Sequence, residues 1–239
     1  AFLNYLNIEP SMKRMDSVMV ASNCKKMTRL EILYTCTANM IKAIHQADKT
    51  AISKNLTHYL DAEDLNRTIY HRKNEDISAR LQQVIDDATR LISELGDDAF
   101  ELPEYQLLRR VLMEQTEQDR TGKPIPKDKK SITPDSLQNP SDPDATFRRK
   151  AGKNHKGYVG NIIETFDEQG AIITGYDYDI NSHSDSQFCK ETISKLGHQD
   201  EAATLLADGA YASTDNHEQA AQKNIELVTT EKKGKIPNP

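Results

Sequence analysis

The chain has 239 residues, of which 36% are hydrophobic and 28% charged, with no tryptophan and a formal charge of −6. That length can bury a substantial core, as one large domain or as one domain carrying an insertion. The acidic balance argues against a protein coated uniformly in basic residues for nucleic acid, while leaving room for a local basic face.

Three cysteines, Cys24, Cys36 and Cys189, lie in no paired or metal-ligand spacing, which points to free thiols in a reducing compartment. No apolar run reaches membrane-spanning length, and Ala1-Phe2-Leu3 lacks the charged start and long apolar core of a signal peptide. A cytoplasmic protein with no membrane partner is the expectation.

Pro10 marks the first boundary, because its fixed φ and missing N–H interrupt regular structure. Met15, Val18 and Val20 then suit a strand with Asp16 inside it. A carboxylate in mid-strand is disfavoured and costly to bury alone. Either a metal ion compensates Asp16, or the strand is an edge strand that turns it to solvent.

From Thr28 the apolar period changes from two to three or four, with Leu30, Leu33, Tyr34, Ile41 and Ile44 on one stripe. Thr28 with Glu31 forms a capping-box pattern, so a helix is expected from Thr28 to Gln46. Lys54 to His71 reads as loop with helical pieces. A second helix opens at Asn74, carries Ile77, Leu81, Val84, Ile85, Ala88, Leu91, Ile92 and Leu95, and stops at Gly96. A third runs from Pro103 to Gln118. Together they predict a bundle-like block, and His45, His58 and His71 show no zinc-ligand spacing within it.

Residues Arg120 to Pro143 are rich in proline and lysine, including Lys127, Lys129 and Lys130, and read as a mobile basic linker. It runs into Arg148, Arg149, Lys150, Lys153 and Lys156, a concentration of positive charge in an acidic chain. Such a run is either a solvated face or a phosphate-tracking loop.

The pattern then becomes β/α. Gly157 to Thr165 and Ala171 to Tyr178 read as a hairpin around Glu168-Gln169-Gly170, and Asp185 as the cap of a helix ending at Gly197. A strand through Leu205 ends on Asp208, followed by a helix from Thr214 to Gln222 and a strand from Ile225 to Thr229. One α/β mixed sheet, interrupted after its first strand by the helical block, explains this order. The divisions are then 1–24 (first strand), 25–119 (helical insertion), 120–143 (linker) and 144–239 (rest of the α/β core).

Asp208 can cap the turn at Gly209, or bind a metal with a second acid. If its strand neighbours that of Asp16, the two carboxylates repel unless a divalent cation lies between them. Hard oxygen donors suit Mg²⁺ or Mn²⁺, ions that serve phosphoryl transfer. With a basic face nearby, the chemistry points to DNA or RNA.

Arg14-Met15-Asp16-Ser17, Asp142-Pro143-Asp144-Ala145, Lys156-Gly157-Tyr158 and Ala207-Asp208-Gly209-Ala210-Tyr211 occur in an order that resembles bacterial insertion-sequence transposases of the DDE type. The resemblance implies a ribonuclease H-like core in which Asp16 and Asp208 are the first and second catalytic aspartates and hold Mg²⁺ or Mn²⁺. It implies cleavage and joining of DNA phosphodiester bonds at element ends and target, a nucleoid-associated bacterial location, and a homodimer or larger assembly. Lys127, Lys129, Lys130, Arg148, Arg149, Lys150, Lys153 and Lys156 are then the DNA-contacting set, with Asp142 and Asp144 left to local turn or helix-cap structure rather than metal. The family's third acidic ligand, a glutamate on a later helix, has no match. Glu218 and Glu226 stand in the wrong context, so the chain is expected to be a carboxy-terminally incomplete core with weak or no activity alone. The alternative is a non-catalytic remnant that binds DNA or protein.

Overall fold

The computed structural model describes residues 2–70, 76–95, 97–150 and 152–230. His71, Asn74 and Gly96, which entered the sequence reading, lie outside them. Along the chain come helix α1 (Phe2–Leu6), strand β1 (Met12–Ala21), helices α2 (Arg29–Ala47), α3 (Asp64–Ile69), α4 (Ile77–Glu94) and α5 (Pro103–Gln115), and strands β2 (Thr116–Gln118), β3 (Pro124–Pro126) and β4 (Thr146–Lys150). Then follow β5 (Lys153–Phe166), β6 (Ala171–Ile180), α6 (Asp185–Leu196), β7 (Ala203–Ala207), α7 (Thr214–Ala221) and β8 (Ile225–Thr229). They form two units, Ala1–Ala21 with Gly157–Pro239, and Ser22–Lys156.

In the first unit the strands lie in the order β6, β5, β1, β7, β8. β5 is antiparallel to β1 and β6, whereas β1, β7 and β8 are parallel. The alternation in β1 decides which side is buried: Lys13 and Met15 point inward, and Arg14, Asp16, Val18 and Val20 point out. The inward side packs with Val159, Ile163, Leu205 and Leu227 on Phe188, Cys189 and Ile193 of α6 and Ala220 of α7. The other side stays open, with Tyr176 and Tyr178 of β6 77% and 75% exposed and Val18 and Val20 of β1 and Val228 of β8 exposed on the same side.

The mixed α/β character and the order of strands and helices along the chain agree with the sequence reading, but the cap of α6 does not. Ser184 is its N-cap, its side chain accepting from the Gln187 N–H at 3.1 Å. Asp185 is the first helical residue and is buried. Serine caps as well as aspartate does, and its position one residue earlier leaves Asp185 to turn inward.

In the second unit α2, α4 and α5 share a core of Leu33, Met40, Ile41, Val84, Ile85, Leu108 and Val111, joined by Leu56 and Tyr59 of a 3-10 turn over Lys54–Leu60. The capping box of α2 forms as its sequence predicts, with the Thr28 N–H donating to Glu31 Oε2 at 2.7 Å. Helix α5 stops at Gln115 rather than Gln118, because Thr116–Gln118 pairs with Pro124–Pro126. Asp119 Oδ1 holds the intervening turn by accepting the Thr121 and Lys123 N–H groups.

The stretch 120–143, read from sequence as a mobile linker, is folded onto the helices. Leu137 is fully buried in their core, and Ser136 and Asn139 are buried beside it. The Leu137 N–H donates to Glu114 Oε2 at 2.7 Å, and Arg110 donates to the carbonyls of Asp135 and Pro143. Prolines that remove backbone donors here are compensated by side chains of α5, which proline content alone does not reveal.

Candidate active site

Asp16 is carried in the middle of β1 and Asp208 directly follows the last residue of β7. The two strands are parallel neighbours, with Met12 paired to Thr204, Lys13 to Leu205 and Arg14 to Leu206. The pairing ends there, and two further steps in the same register would bring Asp16 level with Asp208. Adjacent strands are about 4.8 Å apart, and both carboxylates are exposed on the open side of the sheet.

Each acid is oriented by one local bond. Asp16 Oδ1 accepts the Ser17 N–H at 2.7 Å, and Asp208 Oδ1 accepts the Ala210 N–H at 2.7 Å. Asp208 is thereby the N-cap of a 3-10 turn, Gly209–Tyr211, which the Gly209 N–H also ties to Thr230 Oγ1 at 2.9 Å. The turn-cap reading of Asp208 is therefore correct without excluding a second role, since Oδ2 takes no part in the cap. Among the described residues neither acid is paired with a lysine, arginine or histidine. Two hard, outward carboxylates without a countercharge form a donor set that suits Mg²⁺ or Mn²⁺.

Among the described residues no third acid joins them, and there is no group of three histidine, cysteine, aspartate or glutamate side chains that could hold a metal ion. Glu226 pairs with Thr204, four residues before Asp208, which puts it about 13 Å away along the strand at 3.3 Å per residue. Glu218 lies on α7, on the covered side of the sheet. Glu164 is on the open side but is neutralised by Arg14, with Nε and Oε2 2.5 Å apart. The Arg14 guanidinium also sits 5.2 Å over the Phe166 ring.

Under the acid pair lies a polar network that the sequence reading missed. Tyr211, 1% exposed, donates its hydroxyl to Asn161 Oδ1 at 3.1 Å and shares a hydrogen bond with Ser17. Burial first, and then the charges of Asp185, Asp16 and Asp208, push the Tyr211 phenol well above its ordinary pKa, so it stays protonated. A buried asparagine in the apolar run of β5 is the one sequence signal that could have exposed this network.

The basic residues expected to contact DNA, Lys127, Lys129, Lys130, Arg148, Arg149, Lys150, Lys153 and Lys156, all belong to the Ser22–Lys156 unit. Arg148, Arg149 and Lys150 lie on β4, and Lys153 and Lys156 at the start of β5. Gly152, at φ +77°, serves the tight turn between these strands, a conformation other residues seldom adopt. Arg149 and Lys153 are exposed. Lys156 is half-buried and donates to the Met27 carbonyl at 3.1 Å, and burial, with Lys26 nearby, lowers its ammonium below the usual range. Lys129 and Lys130 stand exposed on a 3-10 turn capped by Asp128, while Lys127 donates to the Met113 carbonyl. Asp142 sits in a local turn, where it accepts from the Ser22 hydroxyl.

Compared with known protein families, residues 116–237, slightly more than half of the chain, fit the family described as Transposase DDE domain. No curated protein and no solved structure matches.

Proposed function

Because the chain belongs to the transposase DDE domain family, we propose that it is the core of a DNA transposase, with Asp16 and Asp208 as its metal-holding acids. The single observation that carries this reading is the placement of two exposed, uncompensated carboxylates, each two residues beyond the last paired couple, Arg14 and Leu206, of adjacent parallel strands. The strand order supports a ribonuclease H-like core, in which the first strand lies centrally and the acids share one end.

A divalent cation, Mg²⁺ or Mn²⁺, held by this pair would supply Lewis-acid charge to the attacking and leaving oxygens of a DNA phosphodiester. The chain's own part is to bind and orient. Asp208 is held by its turn and Asp16 by its strand, so each keeps an oxygen outward at little reorganisation cost. Arg148, Arg149, Lys150, Lys153, Lys129 and Lys130 provide the positive charge that a DNA backbone requires.

Among the described residues no third carboxylate joins the pair, and a second reading stands beside the first. In that reading the chain is a non-catalytic DNA- or protein-binding remnant. Calorimetric titration with Mn²⁺ separates the two. A saturable site lost in both Asp16→Ala and Asp208→Ala supports the transposase core. A chain that binds no divalent ion, or binds it equally in both variants, is the remnant.

A further inference from the structure

Asp16 and Asp208 belong to different strands, and their backbones are no longer paired at the level of the acids, since the register stops at Arg14 with Leu206. Something other than the sheet ladder must hold the turn after β7 against β1. Tyr211 is the residue placed to do so.

Its backbone N–H donates to the Asp208 carbonyl at 3.0 Å, and its own carbonyl accepts from Asn216 Nδ2 at 2.9 Å. Its ring runs beneath the sheet, and its hydroxyl donates to Asn161 Oδ1 at 3.1 Å. Asn161 is fully buried, pairs in register with Ser17, and fixes its amide by donating to Thr192 Oγ1 at 3.3 Å. Ser17 shares a hydrogen bond with the same phenol, and its N–H holds Asp16 Oδ1. An unbroken path of covalent and hydrogen bonds therefore connects one acid to the other through the Tyr211 side chain.

We propose that Tyr211 is a positioning residue whose hydroxyl, held between Ser17 and Asn161, sets the placement of Asp208 relative to Asp16 and so the affinity of the pair for a divalent cation. The proposal rests on the reading of that pair as a cation site. A purely architectural role would rest on the ring, which belongs to the same buried cluster as Phe188, Ala207 and Ala220, and on the partner that the hydroxyl gives Asn161. Groups that orient a metal's ligands commonly change its affinity by about 10–100-fold when removed.

The test is Mn²⁺ binding to the full chain, read from the loss of the free-ion paramagnetic resonance signal, with urea unfolding measured in parallel without metal. Tyr211→Phe should weaken Mn²⁺ binding by about tenfold in protein that is still folded. It also strands the Asn161 amide oxygen, so Tyr211→Phe with Asn161→Leu, which removes that buried amide, should recover part of the stability, Ser17 and Thr192 each still losing a partner. If affinity stays low while stability returns, the hydroxyl positions the acids. If affinity returns with stability, or Tyr211→Phe binds Mn²⁺ as tightly as the parent, Tyr211 is only structural and the cation site stands without it. Parent protein that binds no Mn²⁺, or binds it unchanged after Asp16→Asn and Asp208→Asn, overturns the cation site and the proposal with it.

Discussion

Asp16 and Asp208 each stand two residues beyond the last paired couple of their strands, Arg14 and Leu206, so continuing that register places both acids at the same level of the sheet. Without a cation between them, two neighbouring carboxylates oppose folding. In chelator at low salt, Asp16→Asn and Asp208→Asn should each raise stability by about 0.5 kcal/mol, a value limited by solvent screening of exposed charges. Asparagine keeps the cap at position 208, so the gain is not offset there. Urea midpoints measure it, and a loss of stability in both variants would show that the acids do not repel.

Acid should weaken the helical unit through Glu31. Burial alone would raise this carboxyl, but hydrogen bonds from Tyr70, Lys25 and Thr28 outweigh it and hold it at about 2. The folded value lies below the unfolded one, about 4.3. The associated stability is therefore complete above the unfolded value and is lost as pH falls from about 4.3 toward 2. We expect a loss of about 2 kcal/mol over that window, discounted for the exposure of Lys25. Glu31→Gln should flatten the curve. A parent and variant that lose stability in parallel would remove Glu31 as the cause.

Duplex binding should depend on the β4–β5 turn. Arg149 and Lys153 are exposed on its two sides, and replacing both with glutamate should weaken binding to any duplex sequence. The slope of log affinity against log salt should become shallower by about 0.9 for each phosphate that is no longer neutralised. Fluorescence anisotropy across a salt series reads both effects. An unchanged slope would take this turn off the DNA surface. Lys156 is a poor choice for the same test, because its ammonium is anchored on Met27 and its loss would disturb the fold.

Periodicity made most elements legible. The alternation around Met15, the stripe from Leu30 and the β5–β6 hairpin all form close to where the sequence places them. Local chemistry was less decisive where two residues could do one job, as with Ser184 and Asp185 at the start of α6. Segment 120–143 was misread because its proline and lysine content resembles a linker, whereas one apolar residue, Leu137, and a few carbonyls captured by Arg110 bind it to the helices. The acid pair could be suspected from two strand-borne aspartates, but its supporting network could not. Ser17, Asn161 and Tyr211 lie on separate strands and a turn, and meet only once the sheet exists.

The sheet's central strand is made first and completed last. β1 ends at Ala21, and its partners, the Gly157–Thr165 part of β5 and β7, follow only after all of Ser22–Lys156. At ribosomal rates of about 5–20 residues per second, β1 waits on the order of ten seconds for its neighbours. Through that interval Met15, Val18, Met19 and Val20 have no sheet to enter. During synthesis, β1 is thus a strand that needs chaperone protection, while the helical unit can already fold behind it.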